Sequence, residues 1–233
     1  MLTYYITDRN QFAGSEAEQR AQVLRTIRQA AVAGVDYIQL REKDLTVREL
    51  ERLAREAVQV IRGEGPARLL INHRTDVALA AGADGVHLTG SDFAASDARA
   101  LAAGCGIEPR AGDFERRFLV AVSCHSAQQV RLAEAHGADF AVLAPVFEKM
   151  SAERVTKGIG LDELRRATQL DQHPDLRVEA GESRGSFPVF ALGGVDVERA
   201  PLCTAAGAAG IAGIRVFQQC SDLPALVRSL HLL

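Results

Sequence analysis

The residues best suited to chemistry sit at the ends of short apolar runs. Gln39-Leu40-Arg41-Glu42-Lys43-Asp44 closes one of them, and the two-residue period of an extended chain puts Gln39, Arg41 and Lys43 on one side and Leu40 and Glu42 on the other. An amide, a guanidinium and an ammonium on one side make an anion clamp with directional hydrogen bonds. A solvated strand end is the plainer reading of the same residues. Asn72-His73 and His87-Leu88 close two further runs, with Asp92 shortly after the second. Ser123-Cys124-His125-Ser126 closes another, where an imidazole could move a proton near neutral pH. Gly193-Gly194 ends a later run, and Gly210-Ile211-Ala212-Gly213-Ile214-Arg215 forms the last. Such a set offers a cationic clamp, a carboxylate, a histidine and a glycine-rich backbone. It suits two anionic small molecules, or one phosphorylated substrate with an acid/base group.

These residues need elements to position them. Strand-like runs occur at Thr3 to Thr7, Tyr37 to Arg41, Leu69 to Asn72, Gly85 to Leu88, Phe118 to Ser123, Phe140 to Val146, Val189 to Leu192 and Gly210 to Val216. Helical patterns at about 16–33, 46–62, 75–81, 94–103, 126–136, 161–169, 197–206 and 222–231 alternate with them, several opened by Ser, Thr or Asp. A phrase recurs before every second strand: Ala33-Gly34-Val35-Asp36, Ala81-Gly82-Ala83-Asp84, His136-Gly137-Ala138-Asp139 and Ala206-Gly207-Ala208-Ala209. Each glycine suits a left-handed helix end. Eight βα units with this periodicity predict one α/β domain over 1–233, a single (βα)8 TIM barrel. A doubly wound open sheet is the alternative. In the barrel the strand C-termini share one mouth, and backbone N–H groups after the seventh and eighth strands form the usual phosphate cradle. The polar stretches 104–117 and 171–187 precede the fifth and seventh strands and read as insertions at the opposite face.

Composition removes several classes of function. The 233 residues carry 27 Lys and Arg against 30 Asp and Glu, a net charge of −3, so no basic field for a nucleic-acid backbone exists. The N-terminus has no basic region followed by an apolar run, and no long apolar stretch could span a membrane, which points to the cytoplasm. Four irregularly spaced cysteines, Cys105, Cys124, Cys203 and Cys220, predict free thiols and no sulfur-bound metal.

Tyr4-Tyr5-Ile6-Thr7-Asp8, the run YIQLREKD from Tyr37 to Asp44, NHRTDVALAAGADGVHL from Asn72 to Leu88, Ser123-Cys124-His125-Ser126 and Ala191-Leu192-Gly193-Gly194 together resemble the thiamine phosphate synthase/TenI family. The resemblance implies thiamine biosynthesis by one of two chemistries. The synthase joins an aminopyrimidine methyl pyrophosphate to a thiazole phosphate with Mg2+; a related tautomerase shifts a proton on a thiazole carboxylate phosphate. For the synthase it implies that Gln39, Arg41, Lys43, Asn72 and Ser123 hold the pyrimidine pyrophosphate, Asp92 binds Mg2+, and Gly193, Gly194 and Ile214 take the thiazole phosphate. Arg215, where the family has Ser, would add a cation there, and Lys149 and Ser151 would serve the pyrophosphate from the loop that usually carries Thr-x-Thr-Lys. His73 stands where the synthase has a second metal-binding aspartate. For the tautomerase it implies His125 as the acid/base residue, without metal. A barrel that only binds thiamine precursors is the non-enzymatic alternative.

Overall fold

The computed structural model describes residues 1–90, 92, 94–107, 117–150, 155–169 and 187–233. Strands β1 (Leu2–Ile6), β2 (Tyr37–Leu40), β3 (Arg68–Asn72), β4 (Gly85–Leu88), β5 (Leu119–Cys124) and β6 (Phe140–Leu143) follow in order. After them come β7 (Lys149–Met150), β8 (Val155–Thr156), β9 (Val189–Ala191) and β10 (Gly210–Gly213). All but β7 and β8 close into a parallel barrel in the order β1-β10-β9-β6-β5-β4-β3-β2. This is the expected (βα)8 barrel, and the open-sheet alternative falls away because β1 pairs with both β2 and β10.

Helices α1 (Glu16–Ala33), α2 (Val47–Arg62), α3 (Thr75–Ala81), α4 (Ala95–Gly104), α5 (Ala127–Ala135), α6 (Gly160–Thr168), α7 (Ala200–Ala205) and α9 (Leu223–His231) surround it, with a short α8 (Arg215–Gln218). Ser15 and Thr46 open α1 and α2 with capping boxes closed by Glu18 and Glu49, and Ser126 and Asp222 cap α5 and α9. Two expected strands were too long. The sixth stops at Leu143, before Pro145, and the last stops at Gly213 because Arg215–Gln218 turns helical. The antiparallel β7–β8 ribbon was not anticipated. The expected insertions fall mostly on 108–116 and 170–186, outside the described residues.

The recurring phrase has a specific structural role. Gly34, Gly82, Gly137 and Gly207 all take positive φ, between 70° and 88°, ending the preceding helical segment as expected. In three copies the following Asp then accepts a backbone N–H at the start of the preceding barrel strand: Asp36 from Thr3 at 2.8 Å, Asp84 from Leu69 at 2.8 Å and Asp139 from Val120 at 2.7 Å. Each carboxylate also meets a basic side chain: Asp36 the His231 ring, Asp84 the Arg68 guanidinium and Asp139 the Arg99 guanidinium. The fourth copy ends in Ala209 and lacks the carboxylate.

The main core lies between the strands and the helices, built from small aliphatic residues such as Val23, Ala30, Leu53, Ala57, Val86 and Ala98. The barrel interior is different. Tyr4, Tyr37, Phe140 and Phe190, four of only twelve aromatic residues, meet with ring centroids 5.0 to 5.9 Å apart, mostly edge-on or tilted. These rings plug the barrel floor, and the polar residues sit above them. The cysteines are free, and among the described residues no helix is long and apolar enough to cross a membrane.

Candidate active site

Above the aromatic floor, β1, β2, β4 and β5 each contribute one inward polar side chain. His87 is buried, and its Nδ1 lies 2.9 Å from the Tyr4 hydroxyl and 2.5 Å from Gln39 Nε2. Its Nε2 lies 2.8 Å from Ser123 Oγ, and Gln39 Nε2 also donates to the Tyr4 oxygen at 3.2 Å. Burial, reinforced by the nearby positive charge of Arg41, pushes the His87 pKa down to about 3, so the ring is neutral. Burial likewise keeps the Tyr4 phenol protonated. Two expected site residues from distant strands, Gln39 and Ser123, are thus joined through one histidine.

The clamp residues sit higher, at the end of β2. Gln39 is buried, Arg41 half-buried and Lys43 exposed, while Leu40 and Glu42 are buried on the other side, as the two-residue period requires. The Glu42 carboxylate accepts from Thr7 Oγ1 at 2.5 Å, from the Arg9 backbone N–H at 3.0 Å and from Arg9 Nη1 at 3.5 Å. Burial pushes its pKa up, and these bonds pull it back only in part. Arg9 also grips Asp44 through both terminal nitrogens, at 2.5 and 2.9 Å. Residues flanking Lys43 on both sides are therefore anchored to the loop after β1. Thr7 Oγ1 fixes Arg41 as well, accepting its backbone N–H at 3.0 Å.

The expected metal residues meet one another. His73 has φ of 66°, an uncommon conformation for a non-glycine residue, and its Nδ1 contacts Asp92 Oδ1. The other Asp92 oxygen accepts from the Thr89 N–H at 2.5 Å. Burial raises the Asp92 pKa, but the bonds from His73 and Thr89 outweigh it and hold the carboxyl below its ordinary range. Asn72, one residue before the turn, stands in register with His87.

On the opposite rim, Gly193 and Gly194 have φ of 93° and 64°. A Cβ on Gly193 would lie 2.6 Å from Pro145 Cβ, and one on Gly194 would lie 2.7 Å from the Glu148 carbonyl oxygen. Both glycines are therefore required by the close passage of the loop after β6, whatever else their backbone binds. That loop runs alongside β9, with Val146 and Phe147 donating to the Leu192 and Gly193 carbonyls at 2.8 and 3.0 Å. Arg199 crosses the same corner, donating to the Gly194 carbonyl at 2.6 Å and lying 5.1 Å from the Phe147 ring centroid. Ile214 precedes α8, and Arg215 is exposed. His125 is exposed; its Nδ1 lies 2.7 Å from the Ala144 carbonyl and so donates to it. Ser151 and the side chain of Lys149 lie outside the described residues.

Spacing put Gln39, Arg41 and Lys43 on one side, but did not show what holds the end of β2. Thr7, Arg9 and Tyr4 lie far from Glu42 and His87 in sequence, and only the barrel's closure at β1 brings them together. The one available signal was Glu42 itself, a charged residue predicted on the side away from the mouth.

A family model described as thiamine monophosphate synthase matches residues 3–217. The chain is 40% identical over 209 residues to a provisionally named thiamine-phosphate synthase of Geobacter sulfurreducens, covering 90% of this chain and 83% of that one. It is 34% identical over 204 residues to the thiamine-phosphate synthase of Methanoculleus marisnigri, covering 88% and 84%. Among solved structures it resembles thiamine phosphate pyrophosphorylase from Pyrococcus furiosus, with a TM-score of 0.73 at 26% identity over 99% of this chain and 94% of that one. With a barrel that matches in fold and a family model that spans nearly its whole length, the chain belongs to the thiamine monophosphate synthase family.

Proposed function

We propose that this protein is a thiamine-phosphate synthase, which joins an aminopyrimidine methyl pyrophosphate to a thiazole phosphate and releases pyrophosphate. The observation that supports the reading is the β2 end, where Gln39, Arg41 and Lys43 share one side and the backbone is held by the bonds of Glu42 and Asp44 on the other. Such a set has little use in an enzyme that only moves a proton on a thiazole.

Breaking the bond to pyrophosphate leaves a benzylic-type cation on the pyrimidine and concentrates negative charge on the leaving group. Arg41 and Lys43 donate to that charge as it develops, which stabilises the departing pyrophosphate. Gln39, Asn72 and Ser123 orient the pyrimidine end. Gly193, Gly194 and Ile214, with Arg215 beside them, hold the thiazole phosphate so that the ring nitrogen lies in line for capture.

A Mg2+ ion, when bound, would neutralise pyrophosphate charge. Asp92 fits that role as a single carboxylate, since Mg2+ takes one or two carboxylates together with substrate phosphates. His73 does not fit as a second ligand, because imidazole suits softer ions. Among the described residues no cluster of three or more His, Cys, Asp or Glu forms a preassembled metal cage.

The test is incubation with both substrates and Mg2+, with release of pyrophosphate as the expected result. A second reading, thiazole tautomerase, is favoured by one observation: the exposed His125 ring is held in place through Nδ1 by the Ala144 carbonyl. Tautomer exchange abolished by His125→Ala, with no pyrophosphate release by the unaltered protein, would replace the synthase reading with this one.

A further inference from the structure

We propose that His87 is a positioning residue that fixes the direction in which the Ser123 hydroxyl donates. This rests on the synthase reading, in which Ser123 faces the substrate, and adds the polarity of that contact.

The direction follows from counting hydrogens around the buried ring. Gln39 Nε2 donates to the Tyr4 oxygen at 3.2 Å, so the Tyr4 hydrogen is available to His87 Nδ1 at 2.9 Å. The Gln39 amide also reaches Nδ1, at 2.5 Å. A ring nitrogen met by two donors carries no hydrogen of its own. Because the ring is neutral, its single N–H is therefore on Nε2, 2.8 Å from Ser123 Oγ. Ser123 accepts that N–H and must send its own hydrogen elsewhere, toward the partly open side of the residue at the mouth. A chain of donors thus runs Tyr4 to His87 to Ser123 and emerges as one outward O–H.

The ligand atom that meets Ser123 must then be an acceptor, such as a ring nitrogen of the pyrimidine, and not a donor such as its amino group. The orientation is set before substrate arrives, since Tyr4, Gln39 and His87 are all buried. Reversing it would require Nδ1 to carry the proton, with the Tyr4 and Gln39 donors both turned away.

The first test uses the unaltered protein. With 15N-labelled histidine, a long-range 1H–15N correlation spectrum should show one ring, absent from His87→Gln, with a protonated Nε2 and an unprotonated Nδ1. The Nδ1–H tautomer overturns the proposal. The second test separates a positioning role from simple packing. In His87→Gln the amide N–H can stand where Nε2–H stood, whereas His87→Asn reaches only the Nδ1 position. Pyrophosphate release (kcat/KM) should stay within about threefold for His87→Gln and fall about tenfold or more for His87→Asn, as it should for Ser123→Ala. The His87→Asn/Ser123→Ala pair should be no worse than Ser123→Ala alone. Equal losses in both His87 variants, or multiplied losses in the pair, overturn the proposal. If the unaltered protein releases no pyrophosphate from both substrates, the synthase reading fails, and the tautomer spectrum alone then decides the His87 assignment.

Discussion

Thr7 Oγ1 donates to the Glu42 carboxylate at 2.5 Å while accepting the Arg41 backbone N–H at 3.0 Å, so one hydroxyl sets both sides of the β2 end. Glu42 turns inward to the fold, and Arg41 is thereby turned to the mouth. The end of β2 is held from the loop after β1 as much as from its own strand.

Arg9 is the cation that makes this anchor tolerable, because Glu42 is buried and Arg9 supplies both a backbone and a side-chain donor to it. Arg9→Ala is expected to cost about 3–5 kcal/mol, the penalty for leaving a buried charge uncompensated. Arg9→Ala combined with Glu42→Gln should recover much of that loss. Urea unfolding of the single and double variants checks it; equal instability of the two would mean that Arg9 acts through Asp44 alone.

Arg41→Ala should weaken binding of the pyrimidine pyrophosphate by about 1.5–3 kcal/mol, the range for hydrogen bonds to charged groups. Calorimetric titration reads this directly, and an unchanged affinity would remove Arg41 from the clamp.

His87 makes stability depend on acid. Its native pKa is about 3 against an ordinary 6.5, lowered first by burial and then by Arg41, so the unfolded chain takes up a proton that the native state refuses. The stability it contributes is complete above the ordinary value and is lost as pH falls from 6.5 toward 3. The slope of that loss is about 1.4 kcal/mol per pH unit. His87→Gln should flatten the curve in this window. Unfolding midpoints at several acidic pH values decide it, and parallel curves for both proteins would contradict the assignment.

Gly194→Ala should be poorly tolerated. Its φ of 64° disfavours a side chain, and the added Cβ would meet the Glu148 carbonyl oxygen at 2.7 Å and Phe147 Cβ at 2.8 Å. A loss of about 1–3 kcal/mol is expected. Gly90, whose Cβ would have its nearest neighbour at 3.9 Å, is the contrasting site, and Gly90→Ala should be nearly silent in the same thermal melts.

His73→Asp should restore a second carboxylate beside Asp92 and tighten Mg2+ binding about tenfold, since Mg2+ prefers oxygen ligands. Aspartate also accepts the positive φ found at this position more readily than most residues. Mg2+ titrations followed by calorimetry and by pyrophosphate release should shift together. No change in either would place the metal away from this pair.

The alternation of strands and helices, and the side of β2 that Gln39 and Arg41 share, could be read from the residue pattern. Both follow from local periodicity, which needs no knowledge of the rest of the chain. So could the four helix-ending glycines, because the left-handed conformation is a property of a single residue. Strand ends were less legible: Leu143 and Gly213 end their strands where the following backbone turns away, and apolar residues continue past both points.

The partners of the polar residues emerge only from the folded barrel. The aspartates of the repeated phrase look like ordinary surface charges until the barrel brings Thr3, Leu69 and Val120 against them. Arg9 and Glu42 are 33 positions apart, and Tyr4 and His87 are 83 apart. A buried charge or a buried histidine is acceptable only with partners, and those partners come from other strands. Pattern along the chain fixes which way a side chain faces; closure of the barrel fixes what it meets there.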